Sequence, residues 1–267
     1  MEVNKALYIS QEINPYVEST TMSDLCRTVP QGMQERGIEV RTFMPKYGCI
    51  NERRNQLHEV IRLSGMNIDI DDTDHPLLIK VATLQPTRMQ VYFIDNDDFF
   101  PAHSNSPQQT LSLIDDNDER TIFFALGVVE TVRKLRWYPA IIQCSGWVTA
   151  LNPLYIKVKY PDDPAFKNAK LVYSLFGDAF EGNLDPRMVE KLVMDGFTNE
   201  QVSALCKGDI DAYALNCLAI DYSDAIVQAT DDVDPRLIEY AKASGKPFLP
   251  YPGLDNAEAY HQFYLSL

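Results

Sequence analysis

The side chains best suited to chemistry fall in three short segments. Asp178 and Glu181 stand three apart in Phe176-Gly177-Asp178-Ala179-Phe180-Glu181, and two neighbouring carboxyl groups can act as the acid/base pair that hydrolases use. Loop carboxylates are equally what an acidic chain carries at its surface. Cys144-Ser145-Gly146-Trp147 offers a thiol ahead of a helix start, where the dipole lowers a cysteine pKa, and an indole whose face suits the C–H groups of a pyranose. No histidine or cation adjoins Cys144, so a buried structural cysteine is the better reading, and Trp147 is more often core. The third segment carries Glu12, Tyr16, Glu18, Ser19, Thr20 and Thr21. Its hydroxyls and acids favour a cation or a polar neutral ligand over phosphate, while the plainer reading is a helix cap by Thr21 or Ser23.

Other residues are less suited to a site. His58, His75, His103 and His261 have no ligand spacing and read as surface or loop residues. The Asp-rich runs at 69–72, 95–98 and 115–118 lack the central Gly and terminal Glu of a Ca²⁺ loop. They read as solvated loops or helix starts, and neither metal nor cofactor is expected.

The elements that must position these groups alternate. Short apolar runs predict strands at 5–10, 39–44, 140–144, 170–175 and 225–228. Apolar spacing of three and four predicts helices at 21–36, 118–136, 147–160, 186–217 and 235–243, with Pro30 disturbing the first and a capping box at Thr198 and Gln201 inside the fourth. Alternation at 77–81 and 89–94 predicts a hairpin or meander, and 246–249 leads into a final extended piece. Strands alternating with helices make an α/β fold: a single Rossmann-like, doubly wound, mostly parallel sheet with flanking helices. In such a sheet ligands sit at the carboxyl ends of the strands, which here are the loops after Ser10, Cys144 and Leu175.

With 267 residues, 45% of them hydrophobic, the chain can bury one large core. Its formal charge of -14 repels phosphate backbones and anionic lipid, so nucleic acid and membrane surfaces are not expected partners. Five scattered cysteines, no signal-like opening and no apolar run of about twenty residues predict a reduced cytoplasmic protein.

The same loops carry a family resemblance. The segment from Ser10 to Leu25 resembles the S-E-x-x-P-[FY]-x-K-T-G-G-L-x-D-[VA] opening of bacterial starch and glycogen synthases through Glu12, Pro15, Tyr16 and Asp24. Arg36-Gly37-Ile38-Glu39-Val40 and Pro45-Lys46-Tyr47-Gly48-Cys49-Ile50 are similar to that family's R-G-H-x-V and P-x-Y-G-x-I. Pro139 to Leu151 is similar to P-D-I-[IV]-H-x-H-D-W-H-[TA]-[AG]-L, and Val172 to Gly182 to V-[FY]-T-[IV]-H-N-L-A-Y-Q-G. Asp221-Tyr222-Ser223-Asp224-Ala225-Ile226-Val227 and a weakened hinge signature, Tyr251-Pro252-Gly253-Leu254-Asp255, close the series.

The resemblance implies the N-terminal half of a GT-B fold, with a second, nucleotide-sugar domain absent and residues 1–267 self-standing. It also implies lost chemistry. Glu18-Ser19-Thr20-Thr21-Met22 replaces the K-T-G-G-L loop whose lysine and glycines receive the donor phosphates, Ser145-Gly146-Trp147-Val148 replaces H-D-W-H, and Phe176 replaces a histidine near the reacting sugar. The expectation is a domain that has lost glucosyl transfer and binds a glucan, sugar, small metabolite or partner protein. The alternatives are a transferase subunit completed by a separate second domain, and a homodimeric interaction module.

Overall fold

The computed structural model describes residues 3–112, 114–254 and 256–267. Asp255, at the end of the hinge-like signature, lies outside the described residues. In chain order the main elements are β1 (Lys5–Ser10), α1 (Thr21–Glu35), β2 (Glu39–Pro45), β3 (His58–Glu59), β4 (Met66–Ile70), β5 (Thr73–Leu84) and β6 (Met89–Asp95). They continue with α2 (Pro107–Leu111), α3 (Asn117–Leu135), β7 (Ile141–Ser145), α4 (Leu151–Lys159), β8 (Lys170–Leu175) and α5 (Met188–Met194). The last are α6 (Ala212–Tyr222), β9 (Ala225–Gln228), α7 (Pro235–Ala243), β10 (Phe248–Leu249) and α8 (Ala257–Ser266).

The sheet runs β10-β9-β8-β7-β1-β2-β6-β5-β3, with β4 paired to β5. Every pairing from β10 to β6 is parallel, and β5 pairs antiparallel with β6, β3 and β4. The predicted α/β class, parallel sheet and hairpin are therefore present. Strands β7 and β8 are buried along almost their whole length, which is why they are written as unbroken apolar runs, whereas β5 alternates between covered and exposed positions. Strand order reverses at β1, which has β2 on one side and β7 on the other while all three run parallel. Register places Ser10 beside Ser145 and Ser145 beside Ser174, so the loops leaving β1, β7 and β8 emerge on one rim. No helix is long and apolar enough to cross a membrane among the described residues.

Several expectations are corrected. Helix α1 runs through Pro30 without ending, and its cap is Thr20 rather than Thr21 or Ser23. The predicted 186–217 helix is two helices, α5 and α6, separated by turns and the short 3-10 turn Ser203–Cys206. Gly196, at φ +99°, ends α5 in a conformation that a side chain resists. The Thr198 and Gln201 capping box forms, at 2.9 and 3.2 Å, but leads only into those turns.

His75 is not a loop residue: it lies in β5, buried against Phe99 at a ring separation of 4.7 Å. Asp95 and Asp118 are buried too, facing Lys80 at 2.7 Å and Lys191 at 2.6 Å. Where the sequence reading ends in an extended piece, the structure adds α8. Its Tyr264 hydroxyl receives a hydrogen bond from Tyr8 at 3.3 Å and donates to Gln143, and Arg36 grips Glu258 at 2.9 and 3.0 Å. A Cβ on Gly32 of α1 would stand 2.4 Å from Ala257, so the two helices approach closely only because that residue is glycine.

Candidate ligand cavity at the carboxyl edge of the sheet

A cavity of about 730 Å³ opens at the carboxyl ends of β1, β7, β8 and β9. Each strand contributes the residues that follow it. After β1 come Gln11 and Glu12. The Gln11 amide donates to the Ser145 carbonyl at 3.0 Å, and its side-chain oxygen accepts from the Val148 N–H at 3.2 Å. This crossing is tight, because a Cβ on Gly146, already at φ +87°, would lie 2.8 Å from the Gln11 side chain. Glu12 is buried, and its two oxygens accept from the Thr20 hydroxyl at 3.0 Å and the Gln108 amide at 3.2 Å. Burial pushes the Glu12 carboxyl above its ordinary range, and hydrogen bonds from Thr20 and Gln11 oppose that.

After β7, Trp147 donates its backbone N–H to Asp178 at 3.1 Å. Its indole is only 2% exposed and covered by Phe180, ring to ring at 4.7 Å, so it is core and Phe180 presents the accessible aromatic face. After β8 come Phe176, Gly177, the half-buried Asp178, Phe180 and the exposed Glu181. The Asp178 carboxyl is pushed up to about 7, chiefly by burial; backbone N–H groups of Trp147 and Asp178 itself work against this, and the charges of Glu12 and Asp232 add to it. A group poised there can donate as well as accept a hydrogen bond near neutral pH. After β9, Thr230 accepts from the Gly177 N–H at 3.2 Å, and Asp232 reaches the cavity wall.

Seven of the residues singled out by sequence thus meet in one cavity: Glu12, Thr20, Thr21, Trp147, Phe176, Asp178 and Glu181. Four do not line it. Tyr16 is buried edge-on against Phe93 at 4.9 Å, and Ser145 is buried at the end of β7. Glu18 is exposed, its carbonyl accepting from the Ser23 hydroxyl, and the Ser19 hydroxyl donates to Asp24 at 2.6 Å. Cys144 is wholly buried and burial pushes its thiol up, as for a structural cysteine.

Sequence reasoning missed Gln11, Gln108, Phe180, Thr230 and Asp232. The strand-end rule that located the other loops also applies to Thr230 and Asp232, directly after the predicted strand at 225–228. Gln108 had no such signal: α2 is five residues long, too short for periodicity to mark.

Comparison with known proteins places this architecture. The starch synthase catalytic domain pattern matches residues 5–231. Glycogen synthase of Chlorobium chlorochromatii is 36% identical over 197 residues, 72% of this chain and 40% of that protein. The glycogen synthase of Chlorobium luteolum is 34% identical over 230 residues, 84% of this chain and 47% of that protein. The chain spans about half the length of the curated relatives it matches. The catalytic domain of starch synthase IV from Arabidopsis thaliana, solved bound to ADP and acarbose, superposes with a TM-score of 0.75 at 18% identity. That match covers 96% of this chain and 52% of that one, and establishes a common fold. By its matched pattern, this chain belongs to the starch synthase catalytic domain family.

Proposed function

We propose that this domain holds a neutral glucan in the cavity and, alone, does not transfer glucose from ADP-glucose. The observation that carries this reading is the charge of the wall: Glu12, Asp178, Glu181 and Asp232 line it, and no lysine, arginine or histidine does among the described residues. A nucleotide diphosphate needs cations or a free helix N-terminus to offset its charge. Here the N-terminus of α1 is already capped by Thr20, and Thr21 adds a side chain beside it. A pyranose is neutral, its hydroxyls donate well to carboxylates and amides, and its C–H face suits Phe180. The Arabidopsis neighbour carries acarbose as well as ADP, so a saccharide is compatible with this fold.

A second reading has its own observation. Because the chain belongs to the starch synthase catalytic domain family, it also suits a transferase in which a separate second domain supplies the donor site. Two measurements separate the readings. Thermal denaturation with maltoheptaose is expected to show stabilisation, about 2.7 kcal/mol at a hundred times Kd, and ADP-glucose none. Labelled glucose is expected not to enter glycogen. Incorporation above a no-protein control sinks the proposal, and stabilisation by ADP-glucose favours the half-transferase.

A further inference from the structure

We infer that Asp232 decides which sugars the cavity accepts: its carboxylate, seated over Gly177, receives the adjacent hydroxyls of a neutral pyranose and turns away phosphorylated sugars. The inference rests on the glucan reading above and adds to it the residue that sets selectivity. Asp232 lies one position beyond the matched family segment.

The loop that carries Asp232 is fixed at both ends. The Ala229 N–H donates to the Leu175 carbonyl at 2.9 Å, Gly177 donates to the Thr230 hydroxyl at 3.2 Å, and the Gln228 side chain donates to the Thr230 carbonyl at 3.1 Å. Beyond the loop, Val233 is buried in the core. Between these anchors Asp232 is exposed, lines the cavity, and meets no hydrogen-bond donor or cation among the described residues. An acceptor pair on an anchored loop, left unoccupied by protein, suits a vicinal diol, since each hydroxyl can donate to one carboxylate oxygen.

Gly177 makes the seat. A Cβ there would stand 2.4 Å from the Asp232 carboxyl carbon and one oxygen, and 2.6 Å from the other oxygen. The contact is with the end of an exposed side chain, so a methyl at 177 displaces the carboxylate and leaves the backbone in place. Asp232 also faces Asp178, whose proton affinity it raises, so an incoming phosphate meets both groups.

The test is calorimetric titration of the whole chain with maltoheptaose and with glucose 1-phosphate, for wild type, Asp232→Asn, Gly177→Ala and the double variant. Asp232→Asn is expected to weaken maltoheptaose about tenfold, by removing a charged acceptor, and to strengthen glucose 1-phosphate, by removing a repulsion. Gly177→Ala is expected to reproduce both changes, and the double variant to match Asp232→Asn. Opposite movement of the two ligands is the decisive sign, because a folding defect weakens both. Unchanged maltoheptaose affinity, or parallel loss of both, overturns the inference and leaves the glucan reading standing. If the wild type binds no maltoheptaose, the glucan reading falls by itself. Asp232 is then judged on glucose 1-phosphate, where a gain on Asp232→Asn upholds its exclusion of anions and no gain overturns it.

Discussion

The Thr20 hydroxyl that caps α1, accepting from the Ser23 N–H at 3.0 Å, also donates to the Glu12 carboxylate at 3.0 Å. One side chain therefore joins the start of a helix to an acid in the cavity wall. The family resemblance places glycine at this position. As a cap, glycine costs only a few tenths of a kcal/mol relative to threonine, but Glu12 also loses a donor and keeps a buried charge. Thr20→Gly is expected to destabilise by about 1–2 kcal/mol in urea denaturation, and Thr20→Ser by less than about 0.5 kcal/mol. A glycine variant as stable as wild type means that the Glu12 contact contributes nothing.

Helix α8 is held by a hydroxyl relay from Tyr8 through Tyr264 to Gln143, all buried. Tyr264→Phe keeps the ring and strands two polar groups beneath it. The expected loss is about 1–3 kcal/mol, a fall of several degrees in Tm, with unchanged far-UV circular dichroism. Loss of less than about 0.3 kcal/mol means that water reaches the freed groups and the relay is not part of the docking.

How much of this was legible in the sequence depends on where each signal resides. Strands β7 and β8 and helix α3 are readable because their burial is decided locally, by apolar runs and by spacings such as Ile122, Leu126 and Val129. Helix α8 is not readable in that way. Its covered face, Tyr260 and Tyr264 with Ala257, Phe263 and Leu267 partly buried beside them, is a helical stripe only about two turns long, and what buries it is distant: Tyr8 and Gln143 are 256 and 121 residues from Tyr264. The 186–217 region misleads in the opposite sense, since Val202 and Leu205 are buried as a helical spacing demands, yet sit in turns.

The acids divide along the same line. Asp178 was found because it follows a strand, but its burial, and that of Asp118, follows from neighbours brought by other elements. Asp232 belongs to a loop fixed by contacts with β8 and Gly177, which no local pattern announces.

Lys191 of α5 is 4% exposed and lies 2.6 Å from both Asp118 and Glu119 at the start of α3. Asp118 has no exposure at all, so removing its cation leaves a buried carboxylate without that partner and beside the charge of Glu119. Lys191→Met is expected to cost about 3–5 kcal/mol in urea denaturation. Adding Asp118→Asn to that variant removes the uncompensated charge and should recover part of the loss. A double variant no more stable than Lys191→Met places the cost in packing and not in the charge.

Asp178 makes stability depend on pH in a direction that can be worked out. Its carboxyl titrates near 3.8 in an ordinary setting and near 7 in the folded protein. Between those values the native state holds a proton that the unfolded chain has released, so stability from this group falls as pH rises. The contribution is complete below about pH 4 and is lost as pH passes through about 7. Asp178→Asn mimics the protonated form and retains an oxygen to accept the Trp147 N–H. The two proteins should therefore be equally stable only below about pH 4, with the variant gaining on wild type steadily as pH rises from there to about 7. At pH 8 the variant should be the more stable by about 1–2 kcal/mol, a figure reduced for the solvent that reaches a half-buried side chain. Other titrating groups act in both proteins and largely cancel in the difference, which is why the comparison is made between the pair at each pH. Urea denaturation at pH 5, 6, 7 and 8 measures it. A gap that stays constant across the series means that Asp178 is ionised throughout, and that burial does not hold its proton near neutrality.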